Sequence, residues 1–95
     1  MTLIIVYNGN EAINALKDSD YDLLLLDLVM PEKNGYFVLE QIRRLNKNIS
    51  VVIISNLSQA EDRQKTKELG AIDYIVKSDT TLVEIIERIK KVLDR

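Results

Sequence analysis

The sequence predicts an α/β domain, a parallel sheet with flanking helices in the order β-α-β-α-β-α-β-α. Three observations carry this. Apolar runs rich in leucine, isoleucine and valine recur at Leu3–Tyr7, Leu23–Leu26, Val51–Ile54 and Ile72–Val76. The runs hold few polar residues, as suits strands buried on both faces. The stretches between them carry apolar residues at helical spacing. Strict alternation of this kind argues right-handed crossovers with helices lying on the sheet.

Each element has a local reason. Leu3-Ile4-Ile5-Val6-Tyr7 is β-branched and apolar, hence a strand. Asn8-Gly9-Asn10 breaks it, and Glu11 to Lys17 reads as a short helix with Ala12, Ile13 and Leu16 on one side. Asp18-Ser19-Asp20 ends that helix. Leu23-Leu24-Leu25-Leu26 follows as a strand running out at Asp27, and Pro31 bars simple continuation. Val29 to Gly35 is a loop. Gly35 to Leu45 is a helix with a stripe of Val38, Leu39, Ile42 and Leu45. Asn46-Lys47-Asn48 ends it, and Val51 to Ile54 is a strand that stops at Ser55.

Ser58 and Glu61 fit a capping box that opens a helix to Leu69, after which Gly70 supplies a left-handed cap. That helix has few large apolar groups and is expected to pack loosely. The strand from Ile72 to Val76 ends at Lys77. Thr81 and Glu84 form another capping box. The last helix, carrying Leu82, Ile85, Ile86, Ile89, Val92 and Leu93, is the most amphipathic stretch of the chain.

Composition narrows the function. The 95 residues suit one small domain, spanning residues 1–95. A net charge of -2 offers no basic field for nucleic acid. No cysteine is present, so there is no disulfide frame and no thiolate metal site; a reducing cytoplasm fits. No histidine is present, which removes an imidazole base, ligand or phosphoacceptor. Any metal must then be held by oxygen. No run approaches a membrane span.

The strand ends carry the candidate chemistry. Asp27, Ser55 and Lys77 close three successive strands, and parallel strands bring such ends to one edge. A carboxylate can be a nucleophile or metal ligand, a hydroxyl can donate to a phosphate oxygen, and an ammonium can neutralise another. Taken singly, Asp27 and Ser55 are equally turn residues, and Lys77 a solvated edge lysine. Their convergence favours a site for an oxyanion such as phosphate.

With Asp27-Leu28-Val29-Met30-Pro31 and Gly35, then Ser55, then Gly70-Ala71 with Asp73-Tyr74-Ile75 and Lys77, the chain resembles the receiver domains of two-component response regulators. Asn8-Gly9 with Glu11-Ala12 is similar as well. The resemblance implies a flavodoxin-like sheet and a role in phosphorelay signalling rather than as an enzyme. Asp27 would accept a phosphoryl group from a phosphohistidine on a sensor histidine kinase or phosphotransfer protein. Magnesium would be held by Asp27 and by the backbone carbonyl of Val29. Ser55 and Lys77 would bind the phosphoryl group. Tyr74, which by itself reads as core packing, would be the switch aromatic. Output would pass through the third helix, fourth strand and last helix, by protein contacts and without direct nucleic-acid or membrane binding.

Three departures from the family accompany this. The chain opens at what would be the family's second strand, so the expected sheet is truncated at its N-terminus. The acidic pair that helps hold magnesium is then absent, and the metal site incomplete. Ser78 follows Lys77 where proline is usual, and Asn56 follows Ser55 where a small residue is common. A truncated sheet in the order 2-1-3-4-5 would leave a gap beside the leucine strand and uncover Ile85, Ile86 and Ile89. Two outcomes are expected: self-association as a homodimer or larger assembly, or movement of the opening strand into the gap. The alternative function is a receiver-like interaction module, or a fragment, that is not phosphorylated. A phosphohydrolase would need a second acid where Val29 stands.

Overall fold

A computed structural model describes residues 3–6, 9–18, 20–28, 35–45, 48–56 and 59–94. Among them four strands alternate with four helices: β1 Leu3–Ile5, α1 Gly9–Asp18, β2 Leu23–Leu26, α2 Gly35–Arg44, β3 Ser50–Ser55, α3 Ala60–Glu68, β4 Asp73–Val76 and α4 Leu82–Leu93, with a 3-10 turn at Lys77–Asp79 before α4. The sheet is parallel and its strands lie in chain order, β1-β2-β3-β4.

Truncation of the sheet is not supported. β1 is hydrogen-bonded directly to β2, with Leu3 opposite Leu23 and Ile5 opposite Leu25, so the gap expected beside the leucine strand is closed. The opening strand occupies that position itself. Bare backbone along a buried strand is costly, and β1 satisfies it.

Strand order decides where the helices go. Right-handed crossovers between strands that always advance in one direction place every crossover helix on the same face. Ala12 and Leu16 of α1, Val38, Leu39 and Ile42 of α2, and Leu69 and Ala71 after α3 all join one core with Leu24, Leu26, Val51 and Ile53. The second face holds Leu23, Leu25, Val52 and Ile75, covered by Ile85, Ile89, Val92 and Leu93 of α4. β2 therefore feeds both cores, with all four leucines buried.

Local expectations are corrected in places. α1 begins at Gly9 rather than at Glu11, so Gly9 and Asn10 belong to its first turn. α2 ends at Arg44, and Leu45 lies beyond it, exposed rather than in the buried stripe. α3 starts after Gln59 with no side-chain cap; Ser58, expected to cap it, lies outside the described residues. Its anchor is Thr66, buried and donating to the carbonyls of Asp62 and Arg63 at 2.9 and 3.1 Å. Gly70 has φ 103°, the left-handed cap the sequence predicts. At α4 the Oγ1 of Thr81 accepts from the Glu84 amide at 3.2 Å. No residue of α4 is fully buried, because one helix lies on a face that three share on the other side.

α3 leans on α2 through polar contacts. The Tyr36 hydroxyl donates to Asp62 Oδ1 at 2.5 Å, and Lys65 Nζ sits 4.3 Å from the Tyr36 ring centroid. Burial, then the bond to the Asp62 carboxylate, push the Tyr36 pKa well above the usual tyrosine range. The folded form thus resists ionisation more than the unfolded chain. Its stability contribution is intact below the ordinary tyrosine pKa and is lost as pH rises towards the raised one. A spectrophotometric alkaline titration should show one tyrosine ionising after the others, and Tyr36→Phe should remove that late step.

Gly35 fixes the approach of α2 to the end of β2. A Cβ there would lie 2.7 Å from the Asp27 carbonyl oxygen and 2.8 Å from the Leu28 Cα, both backbone. Gly35→Ala should therefore destabilise the fold by about 1–3 kcal/mol, the usual range for overpacking, read as a lower urea midpoint at unchanged slope.

Candidate functional site

The register brings the candidate residues to one edge. Leu26 is opposite Ile53 and Ser55 opposite Val76. Asp27 follows β2, Ser55 closes β3, and Lys77 follows β4 as the first residue of the 3-10 turn. All three sit at the carboxyl ends of parallel strands, where ligands bind in open α/β sheets. Ser78, standing where the family usually has proline, is the middle residue of that turn.

Lys77 Nζ donates to Asp27 Oδ2 at 2.7 Å, across 50 residues of sequence. The pair is open to solvent, with side-chain exposures of 41% for Lys77 and 26% for Asp27. An exposed pair of this kind adds at most about 1 kcal/mol to stability. The contact places an ammonium against the carboxylate at the carboxyl edge of the sheet.

Ser55 is buried, at 1% exposure, and its side chain is hydrogen-bonded with that of Tyr74. Burial raises the pKa of Tyr74 and outweighs this bond, which lowers it. The charges of Asp62 and Asp27 raise it further, and that of Arg63 lowers it. Arg63 lies 5.7 Å from the Tyr74 ring centroid. Tyr74 is therefore more than core packing: its ring sits on the α1–α3 face, its hydroxyl belongs with Ser55, and it feels the Asp27 charge.

Three participants escaped the sequence analysis. Tyr36, Asp62 and Arg63 surround the α3 side of the site. Tyr36 and Asp62 are 26 residues apart, and no spacing rule pairs them. The one local signal was an aromatic residue directly after Gly35. On the other side of β4, Arg88 of α4 donates from Nε to Asp73 Oδ2 at 2.9 Å and from Nη2 to Asp73 Oδ1 and to the Tyr74 carbonyl. The backbone of Tyr74 is thus tied to α4.

Among the described residues no group of three or more acidic, histidine or cysteine side chains could hold a metal ion. Val29, whose carbonyl was expected to serve, lies outside the described residues. Magnesium keeps near-octahedral oxygen geometry and is usually bound through one or two carboxylates with substrate phosphates.

Known proteins place this geometry. Residues 2–90 match the family model described as the response regulator receiver domain. The transcriptional regulatory protein CusR of Escherichia coli K12 is 34% identical over 88 residues, covering 93% of this chain and 38% of that protein. The transcriptional regulatory protein CiaR of Streptococcus pneumoniae is 38% identical over 90 residues, covering 95% of this chain and 40% of that one. The chain thus spans about two fifths of the length of these curated relatives. Among solved structures, the receiver domain of Francisella response regulator 1452 superposes with a TM-score of 0.86 at 28% identity, over 97% of this chain and 75% of that one. The non-phosphorylated HemR receiver domain of Leptospira biflexa gives 0.85 at 29% identity, over 95% and 72%. Sequence and backbone likeness cover the same stretch, the one holding Asp27, Ser55 and Lys77, and on that ground the chain belongs to the family of response regulator receiver domains.

Proposed function

We propose that this receiver domain accepts a phosphoryl group on Asp27 from a phosphohistidine of a sensor histidine kinase or phosphotransfer protein. The observation that supports this reading is the Lys77–Asp27 contact at the carboxyl edge of the sheet. In the reaction one Asp27 oxygen attacks phosphorus and the phosphorus–nitrogen bond of the partner breaks. The electron pair leaves with the imidazole, and an acyl phosphate forms on Asp27. Lys77 turns from the carboxylate to a phosphoryl oxygen, where an ammonium balances the incoming charge. The Ser55 hydroxyl donates to another, and Tyr74 follows it because the two side chains are bonded. Movement of Tyr74 reaches α3 through Arg63 and α4 through Arg88, which holds its carbonyl. Attack by water on the acyl phosphate later releases inorganic phosphate and restores Asp27.

Receiver domains typically bind magnesium. Asp27 would be a carboxylate ligand for it, and the metal would screen charge on the phosphoryl oxygens. A second reading is a receiver-like interaction module that is not phosphorylated. Among the described residues no helix is long and apolar enough to cross a membrane.

Intact mass measured after incubation with a small phosphoramidate and magnesium separates the two readings. A single phosphate adduct, absent in Asp27→Asn, is expected; a folded protein with no adduct selects the interaction module. Lys77→Met should slow adduct formation at least about tenfold, by removing a preorganised cation from the developing charge. Its unfolding midpoint should barely move, because the ion pair is exposed.

A further inference from the structure

We propose that Tyr36 is a positioning residue for the phosphoryl site: its bond to Asp62 clamps α3 and so restrains Tyr74 and Ser55 before phosphoryl transfer. The effect on transfer rests on the phosphoacceptor reading of Asp27; the clamp itself rests on the contact between α2 and α3.

The clamp has a fixed end and a movable one. Tyr36 follows Gly35, where α2 presses on the Asp27 carbonyl and the Leu28 backbone too closely for a Cβ, so its backbone is set against that of the acceptor. α3 is the movable end. Thr66 is its one buried residue, and Gln59 before it makes no side-chain cap bond. Tyr36 grips α3 at two points. Its hydroxyl donates to Asp62 Oδ1 at 2.5 Å, and Lys65 Nζ stands 4.3 Å from its ring centroid. Positions three apart share one side of a helix, so both contacts fall on the same flank of α3. Thr66 Oγ1 donates to the Asp62 carbonyl at 2.9 Å, which ties the gripped residue to the buried one. A hydrogen bond to a carboxylate is stronger than one between neutral groups.

The next residue carries the restraint to the site. Arg63 lies 5.7 Å from the Tyr74 ring centroid, and the side chain of Tyr74 is bonded with that of buried Ser55. Contacts therefore run from the backbone beside Asp27 through Tyr36, Asp62, Arg63 and Tyr74 to the Ser55 hydroxyl. When Ser55 turns to a phosphoryl oxygen and Tyr74 follows, the contact with Arg63 has to give. A seat of α3 that holds Arg63 in place adds to the cost of that turn. A conformer populated at a small fraction reacts in proportion to that fraction. Releasing the clamp raises the fraction, so Tyr36 governs the rate without touching phosphorus.

Two measurements on the full chain test this, amide hydrogen exchange and the rate of adduct formation with a small phosphoramidate and magnesium. Tyr36→Phe keeps the ring and removes the donor. It should raise exchange of the α3 amides about tenfold or more while β2, β3 and α4 keep theirs. It should also speed adduct formation on Asp27 about two- to tenfold, the span of one ordinary hydrogen bond. Asp62→Leu should do the same. Asp62→Asn, whose amide oxygen still accepts, should stay within about twofold of the wild type in both. A contact that only stabilised the fold would leave the rate unchanged or lower it, so the gain in rate is the deciding readout. Unchanged α3 exchange in Tyr36→Phe overturns the clamp. Loosened α3 with an unchanged or slower rate overturns the role of Tyr36 in transfer. A wild-type protein that takes no adduct removes the phosphoacceptor reading instead, and exchange in Tyr36→Phe then decides the clamp by itself.

Discussion

The structure depends on β2. Its four leucines are sealed on both faces, Leu24 and Leu26 in one core and Leu23 and Leu25 in the other. Fully burying each such side chain is worth about 1.5–3 kcal/mol relative to exposure. Because β2 is buried on both faces, its backbone groups need strand partners on both edges. β1 supplies one and β3 the other, and both hold it in parallel register. The carboxylate that ends the strand inherits this rigidity. Asp27 is the first residue outside the ladder, and Gly35 lets the start of α2 press against its carbonyl, closing one side of the site.

Sheet order has a second consequence. In doubly wound folds the crevice for a ligand opens where strand order reverses. Here the order β1-β2-β3-β4 never reverses. All three crossover helices crowd one face, and α4 is left with the other. The Asp27–Lys77 pair at the carboxyl edge of this sheet is partly exposed. The same order accounts for the apolar side of α4 and for Leu3 and Ile5 standing in solvent.

The two flanks of β4 serve different purposes. Residues alternate across the strand, so Tyr74 faces the α3 side and Asp73 faces α4. Tyr74 meets Ser55 and Arg63; Asp73 meets Arg88, which also holds the Tyr74 carbonyl. A change at Ser55 therefore has short mechanical routes to both helices. α3 is the softer of the two, with a single buried side chain and polar ties to Tyr36 and Tyr74, whereas α4 is held by four apolar residues and a bidentate arginine.

The sequence by itself determined the element types, the parallel sheet, the C-terminal cap at Gly70 and the convergence of Asp27, Ser55 and Lys77. These follow from local rules: apolar runs of strand length, helical spacing between them, and the common direction of parallel strands. Tertiary structure alone decided that Leu3–Ile5 lies against Leu23–Leu25, that the sheet has no gap, and that three helices share one face. It also decided the pairing of Tyr36 with Asp62 and of Arg88 with Asp73. The physical reason is that strand order and side-chain partners at long separation are settled by competition among whole packings. An apolar run records that it must be buried; which neighbour buries it is decided only when the buried backbone of β2 finds the nearest strand able to complete its hydrogen bonds.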